Sequence, residues 1–509
     1  MKIERTKRSV NSSLSGLIFK FISLLLPFII RTVIIKKLGE EYVGLSTLFT
    51  SVLQVLSLSE LGFASAIAYA MYKPIAEDDK PKLCALLNFI KNIYRIIGAL
   101  ILVLGVAVMP FLHDFINSES VIPSDINLYI LYSIYLFNTV ISYWLFAYKS
   151  VILAANQRLD VENIILSVCN LVMFALQVGF LYVFPNYYVF VIFLPLSTVA
   201  INICRSVMVR KIYPDIVCKG TITADEKKSV YQNIGALIGH RLSGAVVTSI
   251  MNIIISANLG LILLTRYGNY YVIINALIGF ITIMYNSVTA GIGNSIVVDS
   301  VEKNYGDFKN ITFVNVWIVG WMAICLLCLF QPFMKIWMGE DKMLPFDTVL
   351  LFTLYFYLWK FKDIVSTYKD AAGMWKADMI KPYVVTAVSL ILGLVLIKPW
   401  GINGTLVAVI VGVFAVSMPW ETHVFFKNYF HLSPKAYYFK LAVYSVIVAL
   451  VAVLTYFLCG FVPDGGILNL ALNGIICLIV PNAAFLLFGF QTSEFKWVVS
   501  KFRQIFSKR

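Results

Sequence analysis

Charge is scarce in this sequence. Asp, Glu, Lys and Arg make up 13% of its 509 residues, about half the fraction usual in water-soluble globular proteins, which excludes a soluble globular chain. Acids are the scarcer sign, 27 against 41 basic residues. Cysteines number eight and are scattered. The one close pair, Cys325 and Cys328, sits inside an apolar run without a His or acidic neighbour, so it reads as small apolar helix residues rather than a zinc or redox motif. No phosphate-cradling glycine loop is present, so ATP use and other cofactors are not expected. The basic start (Lys2, Arg5, Lys7, Arg8) and following apolar run lack a small-residue cleavage site. Only Lys36-Lys37-Leu38 follows, which reads as an uncleaved first span.

What is abundant is apolar length. Hydrophobic residues make up 60% of the chain and the mean hydropathy is +0.83. Runs long enough to cross a hydrocarbon core of about 30 Å recur along it. They fall at about 15–35, 42–72, 83–110, 127–148, 162–184, 187–204, 230–256, 262–298, 311–334, 344–368, 379–397, 402–426, 441–461 and 466–489. Backbone groups unpaired in lipid are too unfavourable for anything but helices at this length, since barrel strands are about half as long and alternate in polarity. The expected fold is an all-α polytopic membrane protein of about fourteen transmembrane helices. The second and eighth runs are long enough to need tilt or a break.

The basic residues test that count. With the N-terminus inside, 28 Lys and Arg fall on inner segments, against Lys36, Lys37, Lys335, Lys342 and Lys398 on outer connections. This asymmetry follows the positive-inside rule and places both termini in the cytoplasm. It also removes the need for a nucleic-acid partner to explain the net charge of +14, because the charge is spread by topology and not clustered in a basic domain.

The stretch from Gln232 to Gly268 looks like a second beginning. Leu259-Gly260 aligned on Leu38-Gly39 places Arg241 on Lys20, Gln232 on Asn11 and Ile254 on Val33, and a three-residue shift then places Gly268 on Gly44. The polar, basic connection at 206–229 is the natural linker. Six spans precede it, so the repeat is parallel, about an axis along the membrane normal. The expected organisation is an N-terminal lobe at 1–213, a cytoplasmic linker at 214–229, a C-terminal lobe at 230–432, and spans thirteen and fourteen with a basic tail at 433–509.

Eight basic residues remain in or near the spans: Lys20, Arg31, Lys91, Arg95, Arg241, Arg266, Lys360 and Lys362. A cation at a helix centre is unfavourable by about 2.5–3.5 kcal/mol, so such groups face a partner or a wet cavity. Lys20, Pro27 and Arg31 share one helical stripe at about 100° per residue. Arg31, Arg266 and Lys362 are near enough to span ends to snorkel, whereas Lys20 and Arg241 are deeper. Lys91 and Arg95 share a face and can pair with an acid elsewhere. His240 points about 100° away from Arg241 and reads as a packed histidine. The buried acids are Glu60, placed to neutralise Arg31 or Lys20, and Asp363, three residues from Lys360. A cavity lined by unmatched cations suits an anionic substrate such as phosphate or pyrophosphate, held by charge-assisted hydrogen bonds. Polar and aromatic span residues, among them Tyr267, Asn269, Tyr270, Tyr271, Tyr285 and Asn286, can stack on and hydrogen-bond sugars, or form interfacial belts.

Several runs, in order along nearly the whole chain, resemble the polysaccharide transporter family. They are RTVIIKKLGEEYVGLSTLF, LSLSELGFASAI, ILAANQRL, IIISANLG, YGNYYVIINALIG, AGIGNSI, PFMKIWMG, KDAAGMWKADMIKP and GINGTLVAVI. That family comprises the O-antigen and capsular-polysaccharide flippases of the multidrug/oligosaccharidyl-lipid/polysaccharide exporter superfamily. The resemblance implies two six-helix lobes around a central cavity, two further helices, and alternating access that carries an undecaprenyl-pyrophosphate-linked oligosaccharide across a bacterial cell membrane. It implies membrane lipids and a lipid-linked oligosaccharide as partners, with a polysaccharide polymerase as a further one. Arg31, Glu60, Arg241, Asn269 and Asn294 fall on or beside the family's patterned polar sites, and Lys20, Arg266, Tyr270 and Lys360 complete the candidate substrate contacts. One departure is Met251-Asn252 where relatives carry an Asp-Asn pair, which leaves Arg241 one fewer nearby carboxylate.

Two other readings stay open. A drug or organic-cation antiporter of the same fold needs acids in the cavity. A membrane polymerase or glycosyltransferase needs catalytic groups in a sizeable outer loop, yet the longest outer connection, at 111–126, offers only Asp114 and Glu119 without a partner motif.

Overall fold

The computed structural model describes residues 2–57, 63–374 and 376–507. Every regular element among the described residues is helical. In chain order these are α1 (Lys2–Lys37), α2 (Glu40–Leu56), α3 (Phe63–Ala76), α4 (Lys80–Val108), α5 (Leu128–Trp144), α6 (Ser150–Ala155), α7 (Leu159–Val183), α8 (Tyr187–Ile212) and α9 (Ala224–Leu259). They continue with α10 (Leu261–Val298), α11 (Val301–Trp337), α12 (Phe346–Phe361), α13 (Asp363–Ala371), α14 (Lys381–Val411), α15 (Met418–Phe425), α16 (Lys435–Cys459), α17 (Gly466–Gly489) and α18 (Ser493–Ser507). Among the described residues eight helices are long and apolar enough to cross a membrane, or nine if the bent pair α5–α6 is one span. The protein is a multi-pass membrane protein. Two of the fourteen expected runs, 379–397 and 402–426, lie on one helical run, Lys381–Phe430.

The local sequence accounts for the helix starts. Asp79, Asn127, Asn186 and Ser300 each accept a backbone N–H of the first turn through the side chain, satisfying donors that helix geometry leaves orphaned. Thr223 and Glu226 form a reciprocal capping box at the head of α9. Of the two runs expected to need tilt or a break, the second carries α2 and α3, with residues 58–62 between them outside the described residues, and the eighth is one helix of 38 residues, about 57 Å at 1.5 Å per residue. The run Lys381–Phe430 covers 50 residues, about 75 Å if straight, and breaks at Gly401 with φ 55° and ψ −134°. Only glycine adopts that conformation readily.

The chain forms two compact units, residues 1–272 and 273–509. In the first unit the connections segregate to two ends. At one, Tyr42 donates to Asp125 at 2.6 Å, Tyr187 donates to the Tyr42 carbonyl at 3.0 Å, and the Asn117 amide donates to the Asn258 carbonyl at 2.6 Å. At the other, Lys80 pairs with Asp215 at 2.8 Å, Lys82 with Glu226, Arg205 with Glu162, and Lys149 donates to Ser206 at 2.7 Å. The second end holds the basic connections. The second unit shows the same separation. Asn403 contacts Asp347 and Thr348 at one end, while Lys440–Glu494 and a lysine-rich network lie at the other.

α1 and α9 are both 36 residues long, and each ends at a glycine of positive φ, Gly39 at 137° and Gly260 at 89°. Each turns there into the next helix.

Candidate functional site

The first unit brings α1, α2, α9 and the start of α10 together around a polar stripe. On α2, Thr47, Ser51 and Gln54 recur at helical spacing, so they lie along one face. Ser249 of α9 donates to the Gln54 side-chain carbonyl at 3.0 Å, and the Asn252 amide donates to the Ser51 hydroxyl at 3.0 Å. Arg31 of α1 closes the stripe. Its guanidinium donates to Asn269 Oδ1 at 2.9 Å and reaches the Thr47 hydroxyl at 3.5 Å.

Two details give this arrangement its chemistry. Among the described residues, the hydrogen-bond partners of the Arg31 guanidinium are neutral. Asn269 is fully buried, and its Nδ2 donor has no partner among the described residues, a condition that costs about 1–3 kcal/mol. A cation beside an N–H₂ donor without a partner has the donor chemistry that an oxyanion accepts. Gly268 makes the approach possible: a Cβ there would lie 3.0–3.1 Å from both terminal guanidinium nitrogens.

The other candidates separate. Arg266 is committed to Glu40 at 3.1 Å, and Tyr270 is wholly buried. Tyr267 and Tyr271 stack at 5.9 Å. Asn294 is exposed on the later part of α10, in the second unit. Lys360 is buried and pairs with Asp363 at 2.7 Å, as its three-residue spacing suggests. The side chains of Lys20, Glu60, His240, Arg241 and Asn286 lie outside the described residues. Lys91 and Arg95 pair with no acid among the described residues, and Arg95 is exposed.

Lys362 does not snorkel. It is 6% exposed and pairs with Glu421 at 2.9 Å, while Lys381 binds Glu421 and also Asp378 at 2.9 Å. Lys369 binds the same Asp378 at 2.5 Å. Asp378 and Glu421 are therefore buried acids that the sequence of the spans does not single out, whereas Asp363 is only half-buried. Their partners lie as much as 59 residues away in sequence, so local spacing could not reveal the network. The stripe on α2 was more accessible: hydroxyl and amide residues at helical spacing in an apolar run are a signal that a search for charges alone passes over.

The second unit also holds an apolar cavity of about 830 Å³, walled by α11, α12, α15, α16 and the segment 412–417 through residues such as Ile324, Leu354, Tyr357, Phe414, Met418 and Leu441.

No family model matches the chain, and no curated protein sequence does. Solved structures do. A structure titled as the lipid II flippase MurJ in an inward closed conformation superposes with a TM-score of 0.66 at 14% identity, covering 94% of this chain and 98% of that one. An inward-facing multidrug resistance MATE family transporter of the MOP superfamily gives 0.61 at 12%, covering 79% and 94%. The Vibrio cholerae MATE transporter VcmN in its bent form gives 0.55 at 12%, covering 83% and 99%. At these identities the likeness establishes the fold, that of these membrane transporters.

Proposed function

We propose that the protein is a flippase that moves an undecaprenyl-pyrophosphate-linked oligosaccharide from the cytoplasmic to the outer leaflet of a bacterial cell membrane by alternating access. The observation that carries this reading is the Arg31–Asn269 pair, a cation with neutral partners beside an unspent buried donor. Pyrophosphate offers the acceptor oxygens that both groups lack. The fold that the protein shares with a structure titled as a lipid II flippase supports a lipid-linked substrate.

In this reading Lys20, Glu60 and Arg241 extend the Arg31 stripe along the cavity, and Arg266, Asn269, Tyr270, Asn294 and Lys360 meet the substrate as the lobes exchange conformations. The lobes are 1–213 and 230–432, the termini are cytoplasmic, and a polysaccharide polymerase acts on the product. A drug antiporter is the second reading, favoured by the MATE transporters of the same fold. It needs an acid open to the cavity, and Glu40 is taken up by Arg266.

The test is transfer of a fluorescent lipid-pyrophosphate-oligosaccharide between leaflets of proteoliposomes by wild type, Arg31→Ala and Arg241→Ala. Transfer by wild type with loss in both variants is the expected result. Transfer by all three removes the cationic site. Binding of a dye cation, with no transfer of the lipid by wild type, establishes the antiporter instead.

A further inference from the structure

Three of the eight cysteines converge in the second unit. Cys328 of α11, Cys459 at the end of α16 and Cys477 of α17 place their sulfurs within 4.8 Å of one another, and all three residues are buried. Cys325 lies one turn before Cys328 on α11. The neighbours of Cys328 come from two other helices, 131 and 149 residues further along the chain, which the spacing of Cys325 and Cys328 does not show. All eight thiols are free.

We propose that these thiols form a binding site for a soft d¹⁰ metal ion that clasps α16 and α17 to α11. Three sulfurs each about 2.3 Å from a central ion stand about 4.0 Å apart, so a spacing within 4.8 Å accepts the ion with little movement of the helices. The donor set is sulfur only. Such a set selects thiophilic ions over Mg²⁺, Ca²⁺ or Mn²⁺, which require oxygen. Binding exchanges protons for metal: one divalent ion and three thiols give a tris-thiolate complex of single negative charge and three released protons. A monovalent ion in the same set would leave two negative charges, which a buried apolar site disfavours. The preferred occupant is therefore divalent.

The surroundings hold the site in shape and offer a way in. Trp321 Nε1 donates to the Cys477 carbonyl at 2.9 Å, tying α17 to α11 beside the sulfurs. Asn469, Asn473 and Cys477 recur at four-residue intervals and share one face of α17. Asn469 binds the carbonyls of Val462 and Pro463 in the α16–α17 turn, and its own Oδ1 accepts from Asn473 at 3.1 Å. Asn473 Oδ1 is buried without a partner among the described residues. This polar row runs from the turn to the thiols through otherwise apolar surroundings, and its free acceptor can hold a water or an entering ion.

The test uses the full chain in nanodiscs, reduced, stripped of metal and titrated with Cd²⁺. One equivalent is expected to produce an ultraviolet sulfur-to-cadmium charge-transfer band and to release three protons per ion. The band is lost in Cys477→Ser and retained in Cys84→Ser and Cys169→Ser. Absence of a band in wild type overturns the proposal, as does a band that survives replacement of Cys328, Cys459 and Cys477 together. A Cys459–Cys477 crosslink in the protein before reduction, found by mass spectrometry, also overturns it in favour of a disulfide. Should the serine variants fail to fold, protection of wild-type Cys328 from maleimide by one equivalent of Cd²⁺ supports the site, and unchanged labelling refutes it.

Discussion

The Arg31 guanidinium is a planar fork that meets two helices, at Asn269 of α10 and Thr47 of α2. Lysine keeps the charge but presents a single nitrogen, which cannot meet Asn269 and Thr47 together. Arg31→Lys is therefore expected to retain a minor fraction of leaflet transfer and Arg31→Ala none, with both variants expressed at wild-type levels. Equal transfer by the two would reduce Arg31 to a packing residue. Two glycines near it make a contrasting pair. A Cβ at Gly44 would meet the Leu261 carbonyl oxygen at 2.5 Å, whereas one at Gly268 meets only the far end of the Arg31 side chain. Backbone cannot yield cheaply, so Gly44→Ala is expected to lower stability by about 1–3 kcal/mol, seen as a lower thermal midpoint in detergent. Gly268→Ala instead displaces the guanidinium, so it should reduce transfer while leaving the midpoint close to wild type. Arg31, Asn269 and the paired Lys360 were legible as residue types, because a charge or amide in an apolar run is conspicuous. Their partners were not, apart from Asp363, which lies on the same stretch of chain.

At the scale of the elements, helix starts and stops follow from short-range chemistry. The capping side chains of Asp79, Asn127, Asn186, Thr223 and Ser300 stand where the apolar runs begin. Breaks within the runs are different in kind. Gly401 turns α14 through a conformation that side chains resist, and Gly404 packs so close to the Leu396 carbonyl that a Cβ there would lie 2.1 Å from its oxygen. Gly401→Ala is expected to cost about 1–3 kcal/mol and to expose residues 398–404 to limited proteolysis. A proteolysis pattern like that of wild type would show that the bend does not depend on glycine. The eighth run is met by one continuous helix, α10, whereas the run Lys381–Phe430 bends at Gly401. Hydropathy measures how much apolar chain there is, and packing neighbours decide whether that length is met by tilt or by a break.

For the molecule as a whole, the separation of connections to two ends predicts opposite accessibility. Asn117 is held to the end of α9 and Thr223 caps the start of it, so the exposed neighbours Glu119 and Thr221 are better reporters. In a cysteine-free background, Glu119→Cys is expected to react with an impermeant maleimide on intact cells and Thr221→Cys only after permeabilisation. The reverse result would invert the topology. The lysine network of the second unit carries a stability prediction at the same scale. Glu421→Gln leaves Lys362 and Lys381 buried around a neutral group, and removing one partner from such a cluster costs about 3–5 kcal/mol. The loss should appear as a lower unfolding midpoint, whereas an unchanged midpoint would mean that the lysines re-pair with Asp378 or reach water.

Fold class, the repeated traverse of a membrane and the alternation of basic and non-basic connections were determined by the sequence alone. Each is a one-dimensional quantity: the length of an apolar run against the thickness of lipid, and the charge of the segment that follows it. Tertiary structure decided which charges stay neutralised. Glu40 meets Arg266 and Glu421 meets Lys362 across long stretches of chain. It also decided that Arg31 meets neutral partners and that Cys328, Cys459 and Cys477 share one point in space. These pairings are set by how helices pack side by side, and no spacing along a single helix encodes which of its neighbours will lie against it.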